Sequence, residues 1–238
     1  MSEHATNERY AIYLAPERDT PLWRFGTSWL GRNPETGEDS VERLGLENSL
    51  HAQITRTPAR YGFHGTLKPP FRLADHANVK DLKIALADFA VARRSFELTE
   101  LRLGELNGFL ALIPDENDTA LSDLSTLAGD SVASLDEFRA PMSESESVRR
   151  NPDQLTSAQR ENLERWGYPY VFGEFGFHMT LTGKLDPKTL AIVRPVLEHE
   201  VVELLKLPLR VLSVALFHEP APSEPFHLIQ RFDFGDAL

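Results

Sequence analysis

Apolar and polar positions along the chain alternate in short strand-like runs, separated by stretches at helical spacing. Arg9 to Pro16 is aromatic and β-branched enough for a strand, which Pro16 closes. Pro21 to Leu30 reads as a short helix, with Thr20 as its cap, Pro21 at the first position and Gly31 past the end. The weak pattern from Arg32 to Gln53 favours loop with at most one helical turn. A strand is expected from Arg60 to Leu67, ended by Pro69-Pro70, and then a helix from Asn78 to Arg93 capped by Asn78. Phe96 to Leu103 and Phe109 to Ile113 alternate on either side of Asn107-Gly108, the signature of a hairpin.

The second half repeats that order. Thr119 to Phe138 is helical, and the polar tract Ser143 to Ser147 reads as an exposed loop. Thr156 and Gln159 stand at capping-box spacing at the head of a helix that runs to Trp166, with Gly167 as terminator. A strand is expected from Phe175 to Leu181, and a helix from Pro187 to Leu205 capped by Asp186, with Pro195 as an interior kink. Leu207 to Phe217 and Phe226 to Phe234 form a last hairpin, with His218 and His227 facing solvent beside its loop. Strand, helix and hairpin thus occur twice, which predicts an α+β fold of two pseudo-symmetric lobes of antiparallel sheet with helices on the outer faces. The lobes take roughly residues 8–115 and 116–238 of one functional domain and are free to exchange strands.

The expected strands from Arg60 and from Phe175 carry the strongest signal. Gly62-Phe63-His64-Gly65-Thr66-Leu67 returns as Gly176-Phe177-His178-Met179-Thr180-Leu181, identical at five of six positions. Side chains two apart in a strand share a face, so His64 with Thr66, and His178 with Thr180, each present an imidazole and a hydroxyl together. The Phe and Leu of each copy lie on the opposite face and should anchor it in a core. Gly65 and Met179 should likewise point away from the cleft.

Composition narrows the chemistry. The chain of 238 residues has no Cys, which removes disulfides, thiolate metal sites and cysteine nucleophiles. No apolar run is long enough to span a membrane, and the polar start lacks a signal-peptide pattern, so a cytoplasmic protein without membrane partner is expected. A net charge of −11, with no basic block longer than a pair, argues against gripping duplex nucleic acid and favours a small substrate. Two histidines without nearby acidic ligands and no His-Glu-x-x-His predict neither a metal site nor a cofactor. There is also no glycine-rich phosphate loop.

Twin His-x-Thr motifs, each in a strand, resemble those of the two-histidine (2H) phosphoesterase superfamily. The stretch from Arg60 to Phe71 and the segment Phe177 to Gly183 resemble a bacterial subfamily associated with phosphonate-utilisation operons. The resemblance spans nearly the whole chain and implies a metal-independent phosphoesterase acting on a small cyclic phosphate, either a ribose cyclic phosphate or a nucleoside 2′,3′-cyclic phosphate. It carries catalytic roles to His64, Thr66, His178 and Thr180. One imidazole serves as base and the other as acid, an assignment the near-identical motifs leave open, while the hydroxyls hold non-bridging oxygens. Lys68, Arg60, Tyr61, Tyr168 and Tyr170 are further candidates for substrate contact. Two other readings stand beside the enzyme: a non-catalytic phosphate or nucleotide sensor, and an RNA-end-processing, ligase-like protein that would need a basic groove.

Overall fold

A computed structural model describes residues 7–39 and 45–236. The fold is α+β. Seven strands make one antiparallel sheet, and its centre is where the two motifs meet. Strand β1 (Arg9–Leu14) is followed by helices α1 (Pro21–Leu30) and α2 (Asn48–Tyr61), then strand β2 (Gly65–Phe71) and helix α3 (Val79–Val91). Strands β3 (Phe96–Leu98), β4 (Leu101–Leu106) and β5 (Phe109–Pro114) lead to α4 (Leu121–Ser134), α5 (Glu144–Arg149) and α6 (Ser157–Trp166). The short β6 (Met179–Thr180), α7 (Pro187–Val201), β7 (Leu209–Val211), β8 (Ser213–Glu219) and β9 (His227–Asp233) complete the chain.

The sheet order is β4-β5-β6-β2-β1-β8-β9, and a separate pair joins β3 to β7. The halves therefore do not face each other as two sheets. They join edge to edge and trade hairpins: β4–β5 from the first half pairs with β6, and β8–β9 from the second pairs with β1. The joint between halves is β2 against β6, with Gly65 opposite Met179.

Local chemistry explains most element ends. The Thr20 side chain caps α1 by accepting from Trp23 N, and Gly31 closes the helix in the left-handed region at φ 74°. The Asn78 side chain caps α3, and Thr156 with Gln159 makes the expected capping box on α6. Asn107 and Gly108 turn the β4–β5 hairpin with φ of 49° and 86°, as a tight two-residue turn between twisted strands requires.

Three expectations are corrected. Helix α2 occupies residues expected to be loop, and it runs on through Arg60 and Tyr61, so these two end a helix instead of starting the motif strand. It is a polar helix that buries only Ile54, Thr55 and Pro58, so its apolar signal in the sequence is thin. The tract from Ser143 is a short helix with its own capping box, in which Ser143 accepts from Glu146 N and the Glu146 carboxylate accepts from Ser143 N. His218 is drawn inward, stacked on Tyr10 at 4.8 Å and bonded to Glu8.

The apolar anchors behave as their spacing requires. Phe63, Leu67, Phe177, Leu181 and Met179 are all buried in one core. The Phe63 ring lies against Gly26 of α1, and the Phe177 ring lies where a Cβ on Gly65 would come within 2.2 Å of it. That contact accounts for the one position at which the two motifs differ. Only glycine leaves room under Phe177, while Met179 fills core volume in the other copy. Trp29 of α1 donates its indole N–H to the Leu181 carbonyl at 2.8 Å, fastening the second motif to the first helix.

Candidate active site

Antiparallel pairing across the joint sets the geometry. Continuing the Gly65–Met179 register by one residue either way puts His64 opposite Thr180 and Thr66 opposite His178. Directly opposed residues share a face, so the four side chains form a quadrilateral with its histidines on one diagonal and its threonines on the other. Diagonal neighbours in such a pair stand roughly 7 Å apart.

Both rings are held in the same way. His64 Nδ1 lies 2.9 Å from the Gly62 carbonyl, and His178 Nδ1 lies 2.8 Å from the Gly176 carbonyl. A carbonyl only accepts, so each Nδ1 carries a hydrogen, and Nε2 is left as the acceptor whenever the ring is neutral. The motif glycine two residues before each histidine thus fixes the tautomer. The Thr66 hydroxyl is 3.2 Å from His64 Nε2 and donates to it.

The two histidines differ in surroundings. The His64 ring stacks on Tyr13 of β1 at 3.6 Å and 16°, with Phe217 at 6.0 Å and Tyr61 at 6.4 Å. This enclosure lowers its pKa to about 4, since burial disfavours the imidazolium; the Gly62 bond raises it and nearby His178 lowers it further. His64 is therefore neutral near pH 7. His178 is half-buried, with Phe109 at 5.7 Å.

A cavity of about 250 Å³ lies over this face, lined by Thr57, Pro58, Tyr61, His64, Thr180 and Lys184 among others. Phe109, which packs beside His178, lines it as well, whereas His178 and Thr66 are not among its lining residues. Thr182 is buried and accepts from Leu110 N at 3.0 Å, and the Gly183 amide donates to Ile54 of α2 at 2.7 Å, so the chain leaving the second motif is pinned.

The remaining predicted contacts divide. Tyr61 lines the cavity from the last turn of α2. Arg60 points elsewhere, pairing with Glu219, which also takes Arg9. Lys68 does not reach the cleft: its ammonium is buried, donating to the Val132 carbonyl at 2.9 Å and pairing with Asp136 at 3.2 Å. Burial brings its pKa down to about 8 against the opposing pull of Asp136. The lysine at the cleft is the exposed Lys184, which follows the second motif. Tyr168 is half-buried under the Arg150 guanidinium at 4.8 Å, and Tyr170 is exposed with its edge to Tyr168. Tyr13 and Tyr10 lie on the expected first strand, where either could line the cleft, and only the β1–β2 register, with Tyr13 opposite Thr66, singles out Tyr13. Among the described residues no group of three or more His, Asp or Glu is arranged to hold a metal ion, and no helix is long and apolar enough to cross a membrane.

Comparison with known proteins adds a family. The model of a family described as a protein of unknown function, DUF1045, matches residues 66–227, a span that includes Thr66, His178 and Thr180 and begins two residues after His64. The chain belongs to the DUF1045 family. It is also 36% identical over 233 residues to a protein of Janthinobacterium sp. (strain Marseille) named ribose 1,5-bisphosphate phosphokinase PhnN, covering 95% of this chain and 51% of that one. A protein of the same name from Laribacter hongkongensis is 36% identical over 178 residues, covering 75% of this chain and 40% of that one. The chain spans about half or less of the length of these curated relatives. Among solved structures, a phosphoesterase aligns at TM-score 0.39 and 12% identity over 96% of this chain and 98% of its own. A conserved protein of unknown function from Agrobacterium tumefaciens aligns at TM-score 0.40 and 10% identity over 95% and 87%.

Proposed function

We propose that this protein is a metal-independent phosphoesterase of the two-histidine type that hydrolyses a small cyclic phosphate. The observation that supports this reading is the β2–β6 pairing of Gly65 with Met179, which leaves His64, Thr66, His178 and Thr180 on one face of the joint. In the proposed reaction His64 is the base, because its burial keeps it neutral. Its Nε2 takes a proton from water as the water oxygen bonds to phosphorus. The ester P–O bond opposite breaks, and His178, protonated at Nε2, gives its proton to the departing alkoxide. The Thr66 and Thr180 hydroxyls donate to the non-bridging oxygens, whose charge grows in the transition state. Thr66 leaves His64 Nε2 when the phosphate arrives, and this frees the base for water.

A ribose cyclic phosphate is the preferred substrate. The relatives' name describes a ribose bisphosphate as the compound acted on, and the phosphonate-operon resemblance points to the same sugar phosphates. The kinase activity in that name is not assigned to this chain, whose sequence carries no glycine-rich phosphate loop. Turnover of ribose cyclic phosphates beside nucleoside 2′,3′-cyclic phosphates, followed by phosphorus NMR with and without EDTA, tests the reading. Ring opening that persists in chelator is expected. Activity lost in EDTA and restored by a divalent metal would overturn the metal-free mechanism, and no ring opening of any substrate would overturn the assignment.

A further inference from the structure

Tyr61 lines a second and larger cavity, of about 670 Å³, as well as the histidine cleft. Its walls bring together Arg9, Arg60, Arg72, Arg139, Arg149 and Arg150, with Glu146 as the one lining carboxylate. So dense a group of guanidiniums is unexpected in a chain of net charge −11. Carboxylates at and behind the wall fix four of them: Glu219 takes Arg9 and Arg60, Asp136 takes Arg139, and Glu146 takes Arg72. These pairs hold the guanidiniums in place without using all their donors, five on each. Arg60 Nε is buried with no hydrogen-bond partner. Arg149 and Arg150 have no carboxylate partner among the described residues, and Arg150 is steadied over the Tyr168 ring.

We infer that this cavity is a second anion subsite, built for a phosphomonoester carried by the same substrate whose cyclic diester is opened between His64 and His178. The inference rests on the proposed function for the identity of the substrate, and on the arginines for the second phosphate. A terminal phosphate is dianionic near neutral pH and offers three oxygens, which planar guanidinium forks engage in pairs. The volume suits a sugar phosphate, since small-molecule sites commonly enclose about 300–1,000 Å³. Tyr61 stands where the two cavities meet, with the Arg60 guanidinium 4.9 Å over its ring. The sugar between the two phosphates would lie along that ring. No repeat or motif marks this site, because its arginines come from β1, the end of α2, the residue after β2, the turn before α5, and α5 with the residue that follows it.

The test compares kcat/KM for a nucleoside 2′,3′-cyclic phosphate bearing a 5′-phosphate with that for the same compound bearing a 5′-hydroxyl. The wild type should prefer the phosphorylated compound by about tenfold or more, the range that one or two charged hydrogen bonds supply. In Arg149→Ala/Arg150→Ala, which alters exposed side chains only, that preference should fall to near unity. Calorimetry with ribose 5-phosphate reads the subsite without turnover, and the same variant should weaken its binding about tenfold. Arginine-dependent ribose 5-phosphate binding with no ring opening of either compound would uphold the anion subsite and defeat the hydrolase reading alone. Equal kcat/KM for the two compounds, with ribose 5-phosphate binding unchanged by the variant, would overturn the inference. So would faster turnover of an oligoribonucleotide ending in a 2′,3′-cyclic phosphate, which would make the arginines readers of an RNA backbone.

Discussion

At His64 burial and hydrogen bonding pull in opposite directions, and burial wins. The ring is stacked on Tyr13 and bonded at both nitrogens, and its pKa falls to about 4. A base must be neutral to work, so the acid limb of kcat/KM, which reports the free enzyme, should lie near pH 4. An acid limb near 6.5 would show that the base is solvated. Tyr13→Ala should admit water to the ring and move that limb upward toward 6.5. Linkage gives a second reading of the same group. Between pH 6.5 and 4 the unfolded chain binds a proton at this histidine that the folded chain does not, so His64 makes stability rise with pH through that window. Denaturant titrations at several pH values should find this slope reduced in His64→Gln. Lys68 provides the contrasting case. Its position at the end of a motif strand invites a phosphate role, yet its ammonium is spent on Val132 and Asp136. Lys68→Met should leave turnover within about threefold while lowering stability by about 1–3 kcal/mol, because removing one partner leaves the Val132 carbonyl and the Asp136 carboxylate short of a donor. A hundredfold loss of turnover with the fold intact would return Lys68 to the site.

At the scale of elements, the junction of β2 and β6 decides function, and the packing beneath it is unforgiving. A Cβ at Gly65 would meet the Phe177 ring at 2.2 Å. Gly65→Ala should therefore cost about 1–3 kcal/mol, the usual range for overpacking, and should lower turnover by pushing β2 and β6 apart. An unchanged denaturation midpoint would mean that the ring yields freely. Local chemistry made much of this level legible in advance. Thr20, Asn78, Thr156 and Asp186 cap helices as expected, Asn107-Gly108 turns a hairpin, and the duplicated six residues mark two strands on the same sheet. Misjudged boundaries have local causes too. Helix α2 runs into the motif because Gly62 stops it, at φ 79°, only two residues before His64. The second motif forms only two residues of ladder, a length that alternation alone does not predict.

Across the whole molecule, the long-range relations were hidden. Duplication implied two matching lobes free to exchange strands; that the halves join in one sheet, and which hairpins cross, follows from pairings far apart in sequence, β5 with β6 and β1 with β8. Tyr13 meets His64 only through that topology. Net charge is silent on such local grouping, since −11 over the chain conceals six arginines around one cavity. Opposite local and global fields have a measurable consequence. The advantage of a substrate with a second phosphate should shrink as salt rises from about 0.05 to 0.5 M, because screening weakens partly exposed charge pairs. A salt-independent preference would place its origin outside the arginines. The central claim, that two histidines act as one unit on one phosphate, is tested most directly by kcat/KM for a ribose cyclic phosphate in wild type, His64→Ala, His178→Ala and the double variant. If they work in concert, each single variant should lose about 10²-fold or more and the double should be little worse than either, because groups acting as a unit are not additive. Losses of less than threefold, or losses that multiply in the double variant, would contradict it.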